Sequence, residues 1–254
     1  MRLKISIITP SFNQGRFIEQ TIKSVLSQGY PNLEYIVMDG GSTDETVSIL
    51  KKYEGKLKWI SKKDKGQSDA INQGLRMAKG DIVAWLGSDD FYMPGTLHRV
   101  AYYFEKHHTS VWLTGDYIIV DEMGRKIQSP VRVYKNMLRM SNSFNTLSFA
   151  NYVNQPSTFW RRSLHDEFGY VDERLHYCMD YDFWLRIMKK YPLSFIPLPL
   201  SGFRIHKDSK SGSQYNLQFE EEVEVAKRYQ KNMAIIALHK LHNHIIRAIY
   251  TLIK

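Results

Sequence analysis

Two adjacent carboxylates, Asp89 and Asp90, follow the apolar run Ile82–Leu86, which is bounded by Gly80 and Gly87. A short run of this kind, partly β-branched and aromatic, reads as a buried central strand. The carboxyl end of such a strand is where open α/β sheets bind ligands. Two like charges side by side cost free energy unless solvent or a cation separates them. Hard oxygen ligands there suit Mg2+ or Mn2+ bridging a diphosphate, and the alternative is a solvated turn ahead of the helix that Pro94 opens. Asp39 ends a second apolar segment, Leu33–Met38, and taken alone is as good a turn residue as a ligand contact. Asp180 and Asp182 fall in the first turn of the helical stretch Asp180–Lys190. Either the helix dipole accounts for both, or Asp180 is a general base.

The elements that must position these acids alternate. Lys4–Thr9 reads as a strand stopped by Pro10, and Ile18, Ile22, Val25 and Leu26 then recur at helical spacing. Ser42 to Glu45 fits a capping box that opens a helix through about Lys52. Leu57–Ile60 is a third strand, Gln67–Ala78 a helix with Gly80 as its C-cap, and Val111–Thr114 a fifth strand. This rhythm predicts a doubly wound, mostly parallel α/β sheet.

Beyond Asp116 the rhythm changes. Tyr117–Val120 and Lys126–Gln128 suggest a hairpin, residues 132–152 are polar and unassignable, and Thr158–Trp160 is strand-like. Arg162–Phe168 reads as a short helix, Leu193–Ile196 and Leu200–Arg204 as two strands separated by prolines, and His206–Gln214 as a candidate mobile loop. Two helices close the sequence: a charged one over Leu217–Lys231, and an amphipathic one over Ala234–Ile253 with Ile235, Leu238, Leu241, Ile245, Ile249 and Leu252 on its apolar face.

With 254 residues, 43% of them hydrophobic, the chain can bury a full core, which argues against disorder. One cysteine, Cys178, excludes an intrachain disulfide framework and fits a reducing compartment. Met1–Lys4 runs straight into a strand, so no signal peptide is expected, and no run approaches the ~20 apolar residues of a spanning helix. A cytoplasmic location follows as an expectation. The charge of +9 favours an anionic partner, whether nucleotide phosphates, anionic lipid or nucleic acid.

Seven pieces, in this order and spacing, resemble the family 2 glycosyltransferases with the GT-A nucleotide-sugar fold. They are Ile8-Thr-Pro-Ser-Phe-Asn13, Val37-Met-Asp-Gly-Gly-Ser-Thr-Asp44, Lys65-Gly-Gln-Ser-Asp-Ala-Ile-Asn-Gln-Gly74, Leu86-Gly-Ser-Asp-Asp90, Gln155-Pro-Ser-Thr-Phe159, Asp180-Tyr-Asp-Phe-Trp-Leu-Arg186 and Phe203-Arg-Ile-His206. The resemblance implies a GT-A domain over residues 1–214, with a nucleotide-sugar half (1–116) and an acceptor half (117–214) carrying a small antiparallel portion. Residues 215–254 are then a C-terminal helical extension. It also implies an inverting transfer from a nucleotide-sugar, UDP-linked before GDP or dTDP, with Mn2+ or Mg2+, to a saccharide or lipid-linked saccharide in surface polysaccharide or glycoconjugate synthesis.

Roles follow residue by residue from that resemblance. Thr9 and Asp39 contact the base and ribose; Asp69, Asn72 and Gly74 line the nucleotide and sugar pocket. Asp89 contacts ribose or metal, Asp90 ligates the metal, and Asp180 is the base. Arg204 and His206 close over the diphosphate or metal, with a plain loop histidine as the alternative for His206. The pattern departs from the family in three places: Gly87 stands where an Asp-x-Asp motif has its first acid, Ile71 replaces an Arg before Asn72, and Met179 replaces a Glu before Asp180.

Two other function classes compete. A nucleic-acid binder is suggested by the charge and by the Lys-rich run Lys51–Lys65, but Trp59 is the lone aromatic in the later half of that run and no binding motif follows, so a solvated face is preferred and no nucleic-acid partner is expected. A non-catalytic nucleotide-sugar-binding module is disfavoured by the joint presence of Asp90 and Asp180. The last helix either packs on protein, including a second subunit, or its Lys240, Arg247 and Lys254 seat it on the inner face of an anionic membrane.

Overall fold

The computed structural model describes residues 2–253, without the side chains of residues 211, 213 and 249–253. Met1, Lys254 and the expected apolar positions Ile249 and Leu252 therefore lie outside what is described. Strand and helix alternate through β1 (Ile5–Ser11), α1 (Ile18–Leu26), β2 (Leu33–Asp39), α2 (Thr46–Lys51), β3 (Lys58–Ser61), α3 (Gln67–Met77) and β4 (Ile82–Trp85). The four strands are parallel in the order β3-β2-β1-β4. β1 and β4 are buried throughout, which is why they read as unbroken apolar runs rather than alternating ones. The winding reverses between β1 and β4, and the carboxyl ends of those two strands flank the crevice where such sheets hold ligands.

The chain continues as β5 (Phe91–Tyr92), α4 (Thr96–Lys106), β6 (Trp112–Val120), β7 (Lys126–Ile127), α5 (Ser129–Met140), α6 (Phe144–Phe149), a 3-10 turn at Gln155–Ser157, β8 (Thr158–Arg161), α7 (Leu164–Phe168), α8 (Met179–Met188), β9 (Ser194–Arg204), α9 (Lys210–Ser213), α10 (Tyr215–Tyr229) and α11 (Met233–Ile253). β8 joins β4 to β6 antiparallel to both, β9 runs parallel to β6, and β5 and β7 add short antiparallel edges. The expected α/β architecture, a mostly parallel sheet with an antiparallel portion and C-terminal helices, is the one observed.

Several element boundaries differ from the sequence reading. Pro10 does not stop β1: pairing with β4 ends at Ile8, so the donor that proline lacks points past the last rung, while Pro10 stays in register with Met38 of β2. The two segments on either side of Gly115 form one strand, as do the two on either side of Pro197 and Pro199. The prolines sit where the β6–β9 register slips between Ile196 and Ser201, an irregularity that tolerates a missing donor. Ser42 does not cap α2, because its hydroxyl is bonded to Asp39 instead. Gly80 is not the C-cap of α3 either. Ala78 is, and the Gly80 N–H donates to Ser6 Oγ at 2.8 Å. The unassignable stretch 132–152 holds α5 and α6. α5 has no fully buried residue, so its apolar positions carried no core signal; Ser143 caps α6 by accepting from Thr146 N–H at 3.1 Å. The presumed loop after His206 contains α9, capped by Ser209.

Four indoles tie the halves together. Trp184 of α8 stacks between Trp85 of β4 (5.8 Å, 8°) and Trp112 of β6 (5.5 Å, 20°), with Trp160 of β8 edge-on at 5.4 Å. All four are buried, and such pairs contribute about 0.5–1.5 kcal/mol each beyond their burial. Gly74 lets α3 seat on β1: a Cβ there would lie 2.5 Å from Ile8 Cγ2. Gly74→Ala is therefore expected to cost about 1–3 kcal/mol by overpacking, more than the ~1 kcal/mol that alanine gains in helix propensity. Urea unfolding should show the loss, and part of it should return in the Ile8→Val background.

Candidate active site

Asp89 and Asp90 leave the end of β4 in a tight turn closed by Asp90 N–H to Gly87 C=O at 3.1 Å. A Cβ on Gly87 would meet Asp89 Oδ1 at 2.8 Å and Asp90 Oδ2 at 2.9 Å. The two carboxylates thus flank one point, and the glycine that departs from the family pattern is what leaves room for both. Asp90 is 5% exposed, and its pKa is raised well above the usual carboxylate range by burial and by the Asp89 charge.

Arg204 holds this turn. Its N–H donates to Asp90 Oδ1 (2.9 Å), its Nε to the Asp89 carbonyl (2.8 Å), its two terminal nitrogens to the Asp121 and Glu122 carbonyls and to Gln20 Oε1, and its guanidinium lies over Phe17 and Phe91. At 2% exposure and with those donors engaged, Arg204 is a buried clamp on the acids. His206 lies in the loop between β9 and α9, yet it is buried. It is 6% exposed, packs on Phe17 at 4.7 Å, and places Nε2 3.1 Å from Asp89 Oδ2, while its Nδ1 has no partner among the described residues.

A divalent cation fits this corner: two convergent carboxylates, one of them buried and charge-loaded, supply hard oxygen donors, and the His206 Nε2 lies beside one of them. Among the described residues no three His, Cys, Asp or Glu side chains form a complete cage. Mg2+-type sites commonly use one or two carboxylates and draw their remaining ligands from water and substrate phosphates.

Asp39, at the end of β2, is 2% exposed and already takes four donors: Gly41 N–H (3.2 Å), Ser42 N–H (3.0 Å) and Ser61 hydroxyl (2.6 Å) on Oδ2, and Ser42 hydroxyl (2.5 Å) on Oδ1. It borders a small hollow with Lys62, Asp64 and Gln73. Asp69 of α3 is half-buried; burial raises its pKa, but bonds from Lys65 N–H and Gln73 bring it below the usual value.

Three other expected pocket residues are engaged within the protein. Thr9 is fully buried, with its hydroxyl 3.1 Å from Tyr35 Oη; Gly74 is packed on Ile8; and the Asn72 amide is spent on Val171 N–H, Val171 C=O and Glu173. Gly74 and Asn72 are so placed because α3 packs on β1 and on the segment that leads to α8. Ser11, two residues on from Thr9 and in register with Asp39, has a buried hydroxyl without a partner.

Asp180 lies in the first turn of α8, half-buried, its Oδ1 accepting from Tyr181 N–H at 2.7 Å. Burial pushes its pKa up to about 6, against the pull of that N–H and of the Lys135 charge. It stands one helical turn, ~6 Å along the axis, before Trp184, whose ring stacks on the last residue of β4. That stack packs α8 on the strand that leads to the Asp89–Asp90 turn. Asp182, by contrast, is structural: it is 2% exposed and bonded to Arg186 Nε (3.0 Å) and Tyr229 Oη (2.8 Å).

Sequence reasoning missed the group that fixes the approach to α8. Glu221 of α10 accepts from three successive backbone N–H groups, His176 (2.9 Å), Tyr177 (2.6 Å) and Cys178 (2.7 Å). These donors lead into the helix, where the dipole favours an anion. Nothing local signals this, since Glu221 is 41 residues from Asp180 and sits in an ordinary charged helix. Lys210 of α9 adds a tie from Gln67 Oε1 (2.7 Å) to the His176 carbonyl. Glu221→Ala should lower stability by about 1–3 kcal/mol in urea denaturation, and Glu221→Gln, which keeps one acceptor oxygen, by less. Unchanged stability in the alanine variant would remove this role.

The profile described as Glycosyl transferase family 2 matches residues 6–169. An uncharacterized glycosyltransferase of Rickettsia felis is 28% identical over 222 residues, which make up 84% of this chain but only 36% of that one. Among solved structures, S. aureus TarS 1–349 in complex with UDP-GlcNAc aligns with a TM-score of 0.69 and 22% identity, covering 93% of this chain and 66% of that chain. Mannosyltransferase PcManGT from Pyrobaculum calidifontis, in complex with GDP-Man and Mn2+, aligns with a TM-score of 0.70 and 19% identity, covering 94% and 69%. At those identities the likeness is one of fold. Because the matched profile spans more than half of the chain, from β1 to the end of α7, the protein belongs to glycosyl transferase family 2.

Proposed function

We propose that the protein transfers a sugar, a hexose or an N-acetylhexosamine, from a nucleotide-sugar to an acceptor hydroxyl with inversion, aided by Mn2+ or Mg2+, in the making of a surface polysaccharide or glycoconjugate. A UDP-linked donor is the first choice. The proposal is supported by two convergent acids at the end of β4 and by a carboxyl of pKa about 6 in the first turn of α8, the helix whose Trp184 stacks on Trp85.

In this reading Asp90 and Asp89 hold the cation, which when bound neutralises the charge growing on the departing diphosphate. Asp39 accepts from the base. With four donors already on its carboxylate, the Ser42 or Ser61 hydroxyl turns aside as the base arrives. Arg204 keeps the two acids in place while their repulsion is greatest. Asp180, ionised, takes the proton of the attacking hydroxyl, and Lys135 favours that ionised form. A saccharide, free or lipid-linked, is the acceptor class. A binding module without catalysis would gain nothing from an acid tuned close to neutrality. The lysines from Lys51 to Lys65 are exposed, as a solvated face requires, and no nucleic-acid role is proposed.

A carboxyl that must be ionised to act loses its action as pH falls through its pKa. With a nucleotide-sugar and its acceptor, kcat/KM is expected to rise with pH up to about 6 and level off above it. Asp180→Asn should lower kcat by ~10²–10⁴ while donor affinity, measured by calorimetry, stays within a few-fold. Parent-like turnover in that variant would remove Asp180 from its role.

A further inference from the structure

A second buried carboxylate stands behind the proposed base. Glu222 of α10 is 7% exposed and takes no part in the site described above. Its Oε2 lies 3.7 Å from His239 Nε2 and accepts from Asn243 Nδ2 at 3.4 Å, so one turn of α11 holds it. His239 is fully buried and meets the ring of Tyr181, the residue after Asp180, edge-on at 6.4 Å. The same edge of α10 faces the start of α8. Gln218, one turn before Glu222, accepts from Cys178 Sγ at 3.4 Å, and Glu221 takes the backbone N–H groups of His176, Tyr177 and Cys178. From the other side Tyr134 of α5 stacks on His242 of α11 at 5.7 Å, and the residue after it is the half-buried Lys135. Thus α5, α8, α10 and α11 meet around two carboxylates, Asp180 and Glu222, and one ammonium.

These groups act on one another. Burial raises the Glu222 pKa, but contact with His239 and the charges of Lys135 and His242 bring it below the usual value, so Glu222 is ionised. Burial lowers the Lys135 pKa, and Glu222 and Asp180 both oppose that. At Asp180, burial is opposed by Lys135 and reinforced by Glu222. The other groups near Asp180 are engaged or neutral. Glu221 is spent on backbone N–H groups, Lys210 of α9 is tied to Gln67 and the His176 carbonyl, and burial pushes the Cys178 thiol and the Tyr181 phenol well up. A base takes a proton most readily when its pKa is close to the working pH. Lys135 alone favours the ionised form at the expense of basicity, and a fixed negative charge behind it offsets that pull. We propose that Glu222 is a positioning residue for the base, sharing Lys135 with Asp180 and setting its own negative charge against the Asp180 carboxylate. The inference rests on the reading of Asp180 as the base. It makes α10 and α11, which lie beyond the matched profile, part of the working site.

The test reads the Asp180 carboxyl itself. In the full chain, carbon-13 labels on the aspartate carboxyls are titrated by nuclear magnetic resonance, and the signal missing from Asp180→Asn identifies the residue. Glu222→Gln, which removes the charge and keeps the size, should move the midpoint down from about 6 by roughly one pH unit. Lys135→Met should move it up by about as much, Lys135→Arg should leave it near the parent, and the double variant Lys135→Met/Glu222→Gln should fall between the two single ones. The acid limb of kcat/KM should follow the same shifts, which a loss of packing alone would not produce. If Glu222→Gln does not fold by itself, the double variant is compared with Lys135→Met, and the lower midpoint is still expected in the double. A midpoint that stays or rises when the Glu222 charge is removed would overturn the inference, and so would one that does not rise in Lys135→Met. The carboxyl titrates whether or not the chain transfers sugar, so parent-like turnover in Asp180→Asn would sink the base and leave these midpoints as they are.

Discussion

The structure turns on one electrostatic constraint: two carboxylates held side by side at the mouth of a buried strand, with a buried arginine and a buried histidine against them. Like charges at this separation push one another toward the neutral form, and burial pushes Asp90 the same way. Arg204 opposes both by donating its backbone N–H to the Asp90 carboxylate and its guanidinium to the surrounding carbonyls. Removing one partner from a buried charge cluster costs about 3–5 kcal/mol, so this corner is held firmly even though it is not charge-neutral. The surplus negative charge is what a metal–diphosphate pair would answer.

The remaining architecture fixes the other candidate groups. Parallel pairing sets Asp39 at the end of β2, in register with Ser11 of β1. The indole stack carries α8 against the end of β4, and Glu221 fixes the chain leading into α8 from a different helix. Asn72 joins α3 to the segment before α8, so it acts on the site through position rather than contact. Burial then does to Asp180 what a base requires, lifting its pKa toward the range where it both ionises and accepts protons.

Much of this was legible in the sequence because local rules and tertiary packing agreed there. Buried parallel strands write continuous apolar runs, and acids at their ends stand out against them, which is why Asp39, Asp89 and Asp90 could be named from types and spacing, while Asp180 stood out in the first turn of a helix. Legibility failed where a distant partner decided the outcome. Ser42 has the spacing of a capping box, yet Asp39 captures its hydroxyl. Arg204 and Thr9 sit in recognisable segments, yet their side chains are consumed by Asp89, Asp121 and Gln20 in one case and by Tyr35 in the other. α5 lacked a core-facing pattern because none of its residues is fully buried: Val133, Met137 and Met140 are exposed and Leu138 is only half-buried.

The central claim is that the Asp89–Asp90 corner binds a divalent cation together with a diphosphate. Electron paramagnetic resonance of Mn2+ tests it directly, since the six-line signal of the free ion falls as the ion binds. The signal should fall when the protein and a nucleoside diphosphate are both present, fall much less with either alone, and stay high for Asp90→Asn under the same conditions. An Asp90→Asn protein that removes the signal as fully as the parent would contradict the account.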